Sequence, residues 1–406
     1  MGNQVTFLHA ADLHLDSPFI GLAEVPEHLF THITESTFRA LDRLVQAAID
    51  KQVDFVLMVG DIFDQEVQSL KAQIRLRRKM EELKHHNIQV YASYGNHDFI
   101  KGSPHRVSFP DNVHIFPDEQ VSSFIFTKED GTKAAIHGFS YENRGVTDRK
   151  ADQYIVTGDS AHFQIATLHG SLQSNTEHDV YAPFRLGELV EKEFDYWALG
   201  HIHKREVLHE NPPVIYPGNI QGRNRKEQGE KGCYYVTLSE EGADYSFLPL
   251  QEIMFDSISM DITGIEGIHQ LEKRILEKVE EGRTAPRLID LKLIDREGSI
   301  REWSEQYVLE DLMELVNETI SASMPWSYIF RFEVESGLRI DEQMAEGEHF
   351  IGELIRNFSD ADIQPFLKDL YQQKQARKYL AAVTDEEEEE IKEQAEQMLI
   401  RELLMK

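Results

Sequence analysis

Five short motifs carry the residues in this chain that could do chemistry: Asp12-Leu13-His14, Gly60-Asp61-Ile62-Phe63-Asp64, Gly95-Asn96-His97-Asp98, His169-Gly170 and Gly200-His201-Ile202-His203. Together they supply carboxylate, amide-oxygen and imidazole donors and little else. That is the donor set hard and borderline divalent cations take, and it points to a two-metal site in which two cations share Asp61. The glycines beside Asp61, Asn96, His169 and His201 permit sharp turns and close backbone approach that bulkier residues would resist. Taken singly, an Asp-x-His or His-x-His is usually surface or satisfied-core chemistry. Five in order weigh more, provided the fold brings them together.

The elements around the motifs suit that task. Residues 4 to 10 read as a strand, and the apolar spacing of Leu41, Leu44, Val45, Ala48 and Ile49 predicts a helix over 39–49. A strand over 54–59, a charged helix over 66–86 and a strand over 88–92 follow. This βαβ alternation predicts a layered α/β domain, with ligands at the loops beyond the carboxyl ends of the strands. Short apolar runs at 134–137, 164–168, 196–199 and 233–238 predict a second sheet. Each of the five motifs then lies just past a predicted strand end. After Pro249 the pattern becomes strand 255–262, helix 265–281, strand 288–294, helix 305–323 and strand 328–335, which reads as a small separate α/β domain. Beyond Gly337 only helix is predicted.

Composition sets the outer limits. At 406 residues, the chain has room for two or three domains with their own cores. Its single cysteine, Cys233, excludes an internal disulfide and a Cys-x-x-Cys redox or zinc site. No apolar run approaches the ~20 residues needed to cross a bilayer. Asp12 and Asp16 sit where a signal peptide would keep an uncharged core, so a cytoplasmic protein with no membrane partner is expected. The net charge is −30, unevenly spread: residues 1–250 hold 24 basic and 36 acidic side chains, and residues 251–406 hold 18 and 36. Any contact with nucleic acid must therefore rely on bound cations, local basic loops or a partner.

In order and type, the five motifs resemble the signature of the calcineurin-like metallophosphoesterase superfamily. Within it, FLHAADLHLDSPF, VGDIFD, YGNHD, ALGHIHKRE and YPGNIQGR resemble the SbcD-type DNA repair exonucleases, especially their YhaO-type branch, over residues 4 to about 225. The resemblance implies one metal on Asp12, His14, Asp61 and His203 and a second on Asp61, Asn96, His169 and His201. It implies His97 as the catalytic histidine, with Asp98 orienting it, and two divalent ions, Mn²⁺ by family habit. The implied fold is α/β: a two-sheet layered metallophosphoesterase (nuclease) domain over 1–250, a small α/β capping domain over 251–337 and a helical partner-binding tail over 338–406. The implied activity is a metal-dependent DNA exonuclease hydrolysing phosphodiester bonds by a two-metal mechanism. The implied partners are DNA, an SbcC-like coiled-coil ATPase and a second copy in a homodimer.

Other features admit plainer readings. His9, on the first strand, is expected to be packed in the core. Asp64 reads equally well as a group supporting the site or as an ordinary loop acid. Arg223, Arg225 and Lys226 form the densest basic cluster near the motifs, and Arg144, Arg149 and Lys150 form another; either could grip phosphates or be solvated loop charge. Apolar positions Ile391, Met398, Leu399, Leu403 and Leu404 are either core or a partner-facing stripe. Two alternatives stand beside the exonuclease: another phosphoesterase, such as a cyclic-nucleotide phosphodiesterase or protein phosphatase, and a non-catalytic scaffold for an ATPase.

Overall fold

The computed structural model describes residues 2–336 except 23, 103–106, 157–160, 174–180, 297–299, 301–302 and 304–306; beyond 336 it describes only 365–366, 388, 391–392 and 395. The tail expected over 338–406, with Met398, Leu399, Leu403 and Leu404, lies outside the described residues apart from those isolated positions.

The amino-terminal half runs β1 (Gln4–Ala11), α1 (Glu27–Thr34), α2 (Ser36–Asp50), β2 (Phe55–Val59), α3 (Leu70–His85), β3 (Gln89–Ser93), β4 (Val113–Ile115), β5 (Ser122–Thr127) and β6 (Lys133–Gly138). It continues with β7 (Phe163–His169), α4 (Leu186–Val190), β8 (Tyr196–Gly200), β9 (Glu206–Glu210), β10 (Pro213–Tyr216), β11 (Gly232–Ser239) and β12 (Gly242–Pro249). Two six-stranded sheets result, ordered β12-β11-β1-β2-β3-β4 and β5-β6-β7-β8-β10-β9. In the first, β1 through β4 are mutually parallel. In the second, β6, β7, β8 and β10 are parallel. This is the layered α/β architecture expected from the alternating pattern.

The sheets pack face to face. Val5, Phe7 and Ala11 of β1 and Phe55, Leu57 and Val59 of β2 meet Ile136, Ile165, Tyr196 and Ala198 of the second sheet in one buried cluster. Leu8 and Ala10 point the opposite way, onto Leu41, Leu44 and Val45 of α2 and Leu76 and Met80 of α3. Burial on both faces explains why the strands read as nearly unbroken apolar runs. His9 is packed as expected, its ring nitrogens 3.0 Å from the Tyr196 hydroxyl and 3.0 Å from the Leu199 carbonyl.

Two expectations need correction. The run 233–238 does not join the second sheet: as β11 it pairs antiparallel with β1, Val5 opposite Leu238 and His9 opposite Tyr234. An apolar run carries no address, and only the return of the chain after the last motif determines which edge it meets. The helix expected from residue 66 begins at Leu70, because the Ser69 hydroxyl accepts the Ala72 N–H at 3.1 Å and caps it there. Residues 65–68 are thereby left to a loop beside the motifs.

The remaining described chain forms a three-stranded parallel sheet, β13 (Met254–Asp261), β14 (Arg287–Asp295) and β15 (Ser327–Ser336), with α5 (Ile268–Glu280) and α6 (Val308–Ser321). It has its own core of Ile258, Leu271, Ile275, Leu291, Leu312 and Val316. A separate cluster of Phe19, Leu22, Leu29 and Ile33 with Phe255, Leu288 and Trp326 joins it to the loop after β1 and to α1. Among the described residues, no helix is long and apolar enough to cross a membrane.

Candidate metal centre

Parallel strands deliver their carboxyl ends to one rim, and the motifs are gathered there. Beyond β1 and β2 the two loops continue side by side: the His14 N–H donates to the Asp61 carbonyl at 3.0 Å and the Leu15 N–H to the Ile62 carbonyl at 2.9 Å. Asp12, His14, Asp61 and His201 all adopt left-handed backbone, with φ of 52°, 42°, 46° and 95°. Non-glycine residues rarely take that conformation, and when they do they concentrate at functional sites.

The donors converge around Asp61. Asp12, His14, Asp61 and His203 each offer one ligand atom, and these atoms all lie within 4.8 Å of one another. His14 Nε2 and His203 Nε2 are 3.1 Å apart, and Asp61 Oδ2 is 3.8 Å from His14 Nε2. On the other side, His169 Nε2 is 3.4 Å from Asp61 Oδ2 and 3.0 Å from Asn96 Oδ1. His201 Nδ1 approaches the same Asn96 oxygen at 3.2 Å. All seven residues expected as ligands are thus brought to one place, in two groups that meet at Asp61. Their chemistry, imidazoles facing each other beside buried carboxylates, fits two divalent cations.

His97 sits beside this cluster, its ring edge-on to that of His14 with centroids 4.9 Å apart. The expectation that Asp98 orients it needs revision. His97 Nδ1 is 2.9 Å from the Asp64 carbonyl, so a backbone group holds the ring. The fully buried Asp98 carboxylate instead accepts N–H bonds from Gly95 at 2.7 Å, Ile62 at 2.8 Å and Phe63 at 3.2 Å, tying the second motif to the third.

Arg223 also differs from the phosphate-gripping role considered for it. Its guanidinium pairs with the carboxylate of Asp64 and lies 3.4 Å from Glu227 Oε1 and 3.3 Å from His203 Nδ1. Arg225 lies two residues along the same loop, half-buried. The sequence reading missed Glu227. Its Oε1 is 2.8 Å from His203 Nδ1, while its Oε2 accepts from Asn219 Nδ2 at 2.7 Å and from the Arg223 N–H at 2.7 Å. A carboxylate on the far nitrogen fixes a ligating imidazole's tautomer and orientation. The available signal was the spacing of Glu227 four residues past Arg223, the last residue of YPGNIQGR, which says nothing by itself about His203.

Electrostatics follow from burial and crowding. Burial and the nearby Arg223 push the His14 pKa down to about 3, keeping the ring in its neutral, ligating form. Burial penalises a charge on His169 too, but the Asp61 and Asp12 carboxylates outweigh it and raise that ring to about 9. Without a cation, His169 therefore carries a proton at neutral pH that a metal must displace. Cation binding should accordingly release a proton near neutrality, and the apparent affinity should weaken about tenfold per unit as pH falls. Calorimetry in buffers of different ionisation enthalpy measures this directly; binding with no proton released would contradict it.

Glycine is required where the loops cross. A Cβ on Gly95 would lie 2.3 Å from Asp61 Oδ1 and 2.7 Å from His169 Nε2, and one on Gly60, whose φ is +74°, would lie 2.1 Å from His169 Nδ1. Gly95→Ala should therefore weaken metal binding about 10–100-fold, the usual range for displaced support of a ligand, while the circular dichroism spectrum stays native. Metal content after dialysis is the readout, and wild-type occupancy would count against the crowding argument.

Two packed sheets with these donors at one rim define a class, and the chain belongs to the calcineurin-like phosphoesterase family, which it matches over residues 5–205. It is therefore a metallophosphoesterase by family. The metallophosphoesterase YhaO of Bacillus subtilis strain 168 is 36% identical over 407 residues, spanning 99% of each chain. More distant similarity reaches the DNA double-strand break repair proteins Mre11. That of Thermoplasma acidophilum is 23% identical over 331 residues, 77% of this chain and 82% of its own. That of Methanopyrus kandleri is 23% identical over 297 residues, 66% and 61% of the two chains.

Proposed function

We propose that this protein is a two-metal DNA exonuclease acting in DNA repair, with Asp12, His14, Asp61, Asn96, His169, His201 and His203 holding the cations. The observation that carries the reading is the meeting of both donor groups at the Asp61 carboxylate, with His97 beside them. Similarity to proteins named for DNA double-strand break repair supports DNA as the substrate. When bound, the cations, Mn²⁺ in this reading, polarise the phosphate and acidify the attacking water. The chain's own part is positioning and proton transfer. With Nδ1–H directed at the Asp64 carbonyl, the His97 proton exchanged with the leaving oxygen is held at Nε2. Glu227, paired with Arg223, holds His203 in register from behind. The same reading gives residues 251–337 a capping role over the substrate, and the tail an SbcC-like coiled-coil ATPase as partner in a homodimeric assembly.

The test is a nuclease assay on end-labelled linear and closed-circular DNA with Mn²⁺, Mg²⁺ and chelator in parallel. Mononucleotide release from ends, dependent on metal and absent on closed circles, is the expected result. The net charge of −30 favours a second reading, a phosphodiesterase for small substrates. Turnover of a chromogenic diester with none of DNA would establish that reading instead.

A further inference from the structure

Beside His97 an open cleft of about 370 Å³ adjoins the donor cluster at Asn96 and is lined by Asp64, Glu66, Val67, Asn96, His97 and Arg144 among others. That volume is within the range of ordinary ligand pockets. We infer that Arg144 is a specificity-determining residue that holds a phosphate of the nucleic-acid chain next to the bond being cut, so that the site favours polynucleotides over small diesters. The inference rests on the reading of the centre as a DNA phosphodiesterase.

The basic cluster around Arg144 divides cleanly. Arg149 is paired with Glu188, and Lys150 is buried with its ammonium 5.7 Å from the centre of the Phe139 ring. Arg144 alone of the three lines the cleft, and among the described lining residues it is the permanent cation. Its backbone is pinned relative to the catalytic segment. Just after His97, the Ile100 N–H donates to the Tyr141 carbonyl at 2.8 Å and the Lys101 N–H to the Glu142 carbonyl at 3.1 Å. Beyond Arg144, the Val146 carbonyl accepts the Ala182 N–H at 2.6 Å. The side chain, by contrast, is 73% exposed and 3.7 Å from Glu66, itself 48% exposed. An exposed pair of that length is weak, so the guanidinium can exchange Glu66 for a phosphate, to which it can bond in bidentate fashion. Asp64 does not compete, because Arg223 neutralises it. Val67, 68% exposed, offers an apolar surface to a sugar or base edge.

Steady-state kinetics of the full Mn²⁺-loaded chain on an oligonucleotide and on bis(p-nitrophenyl) phosphate test the assignment. Arg144→Ala should raise the oligonucleotide KM about tenfold, with a far smaller change for the small diester, and should lower the salt slope of log KM by about 1. Arg144→Lys should keep that slope with an intermediate KM, since it keeps the charge and loses the planar fork. Glu66→Gln should move the opposite way, lowering the oligonucleotide KM a few-fold by removing the competing carboxylate. The assignment is overturned if Arg144→Ala leaves the oligonucleotide KM within twofold, if both substrates suffer alike, or if Glu66→Gln raises KM. Those results, obtained with a wild type that cleaves oligonucleotides, leave the DNA reading intact. A wild type that cleaves the small diester but not the oligonucleotide refutes the DNA reading, and the role of Arg144 with it.

Discussion

Asp61→Ala should produce the largest loss of any single substitution in the centre, with activity falling by more than the ~10²–10⁴-fold that removal of a general acid costs. The carboxylate serves three neighbours at once: Oδ1 accepts the His97 N–H at 2.9 Å, and Oδ2 faces His14 at 3.8 Å and His169 at 3.4 Å. Asp12 also reaches the second group, 3.9 Å from His169 Nδ1, but Asp61 lies nearer the His169 Nε2 that faces Asn96. Without Asp61, cations held by the two donor groups would repel each other with one fewer carboxylate to offset the repulsion. Metal analysis should show both ions weakened together, with the fold preserved by circular dichroism. Full retention of either ion, or kcat within tenfold of wild type, would contradict the bridging role.

His97→Ala should behave differently, with kcat falling ~10²–10⁴-fold while both metals stay bound. The His97 ring packs against His14 and bonds the Asp64 carbonyl, outside the two donor groups that meet at Asp61. Its backbone N–H still reaches Asp61 in the variant, because alanine keeps that group. The substitution thus separates proton transfer from metal binding. Paired metal analysis and single-turnover rates decide it: lost metal would make His97 a ligand, and a rate within a few-fold of wild type would remove it from the chemistry. A leaving group of low pKa should recover part of the rate, since such a group departs without a proton.

How much of this was legible in the sequence follows the range over which each feature is encoded. Donor types, their order and the adjoining glycines are local facts. The βαβ alternation, which places ligands at the carboxyl ends of parallel strands, is local as well, because apolar period and turn residues repeat within a few positions. From these the layered α/β class and the gathering of Asp12, Asp61, Asn96, His169 and His201 could be anticipated. The membership of β11 in the first sheet, the bond from Asp98 to the second motif and the hold of Glu227 on His203 could not. Arg223 makes the difference plain. Read as a string, it is a basic residue in a loop suited to phosphate; in the fold it meets Asp64, 159 positions away, and is drawn into the support of the centre. Arg144, in the other basic cluster, is the cation that lines the cleft. The sequence by itself determined which atoms could bind metal and at which ends of which strands they lie. Only the tertiary structure decided which charges are spent on one another and which face the open cleft, because that depends on strand register and burial between segments whose separation no local pattern records.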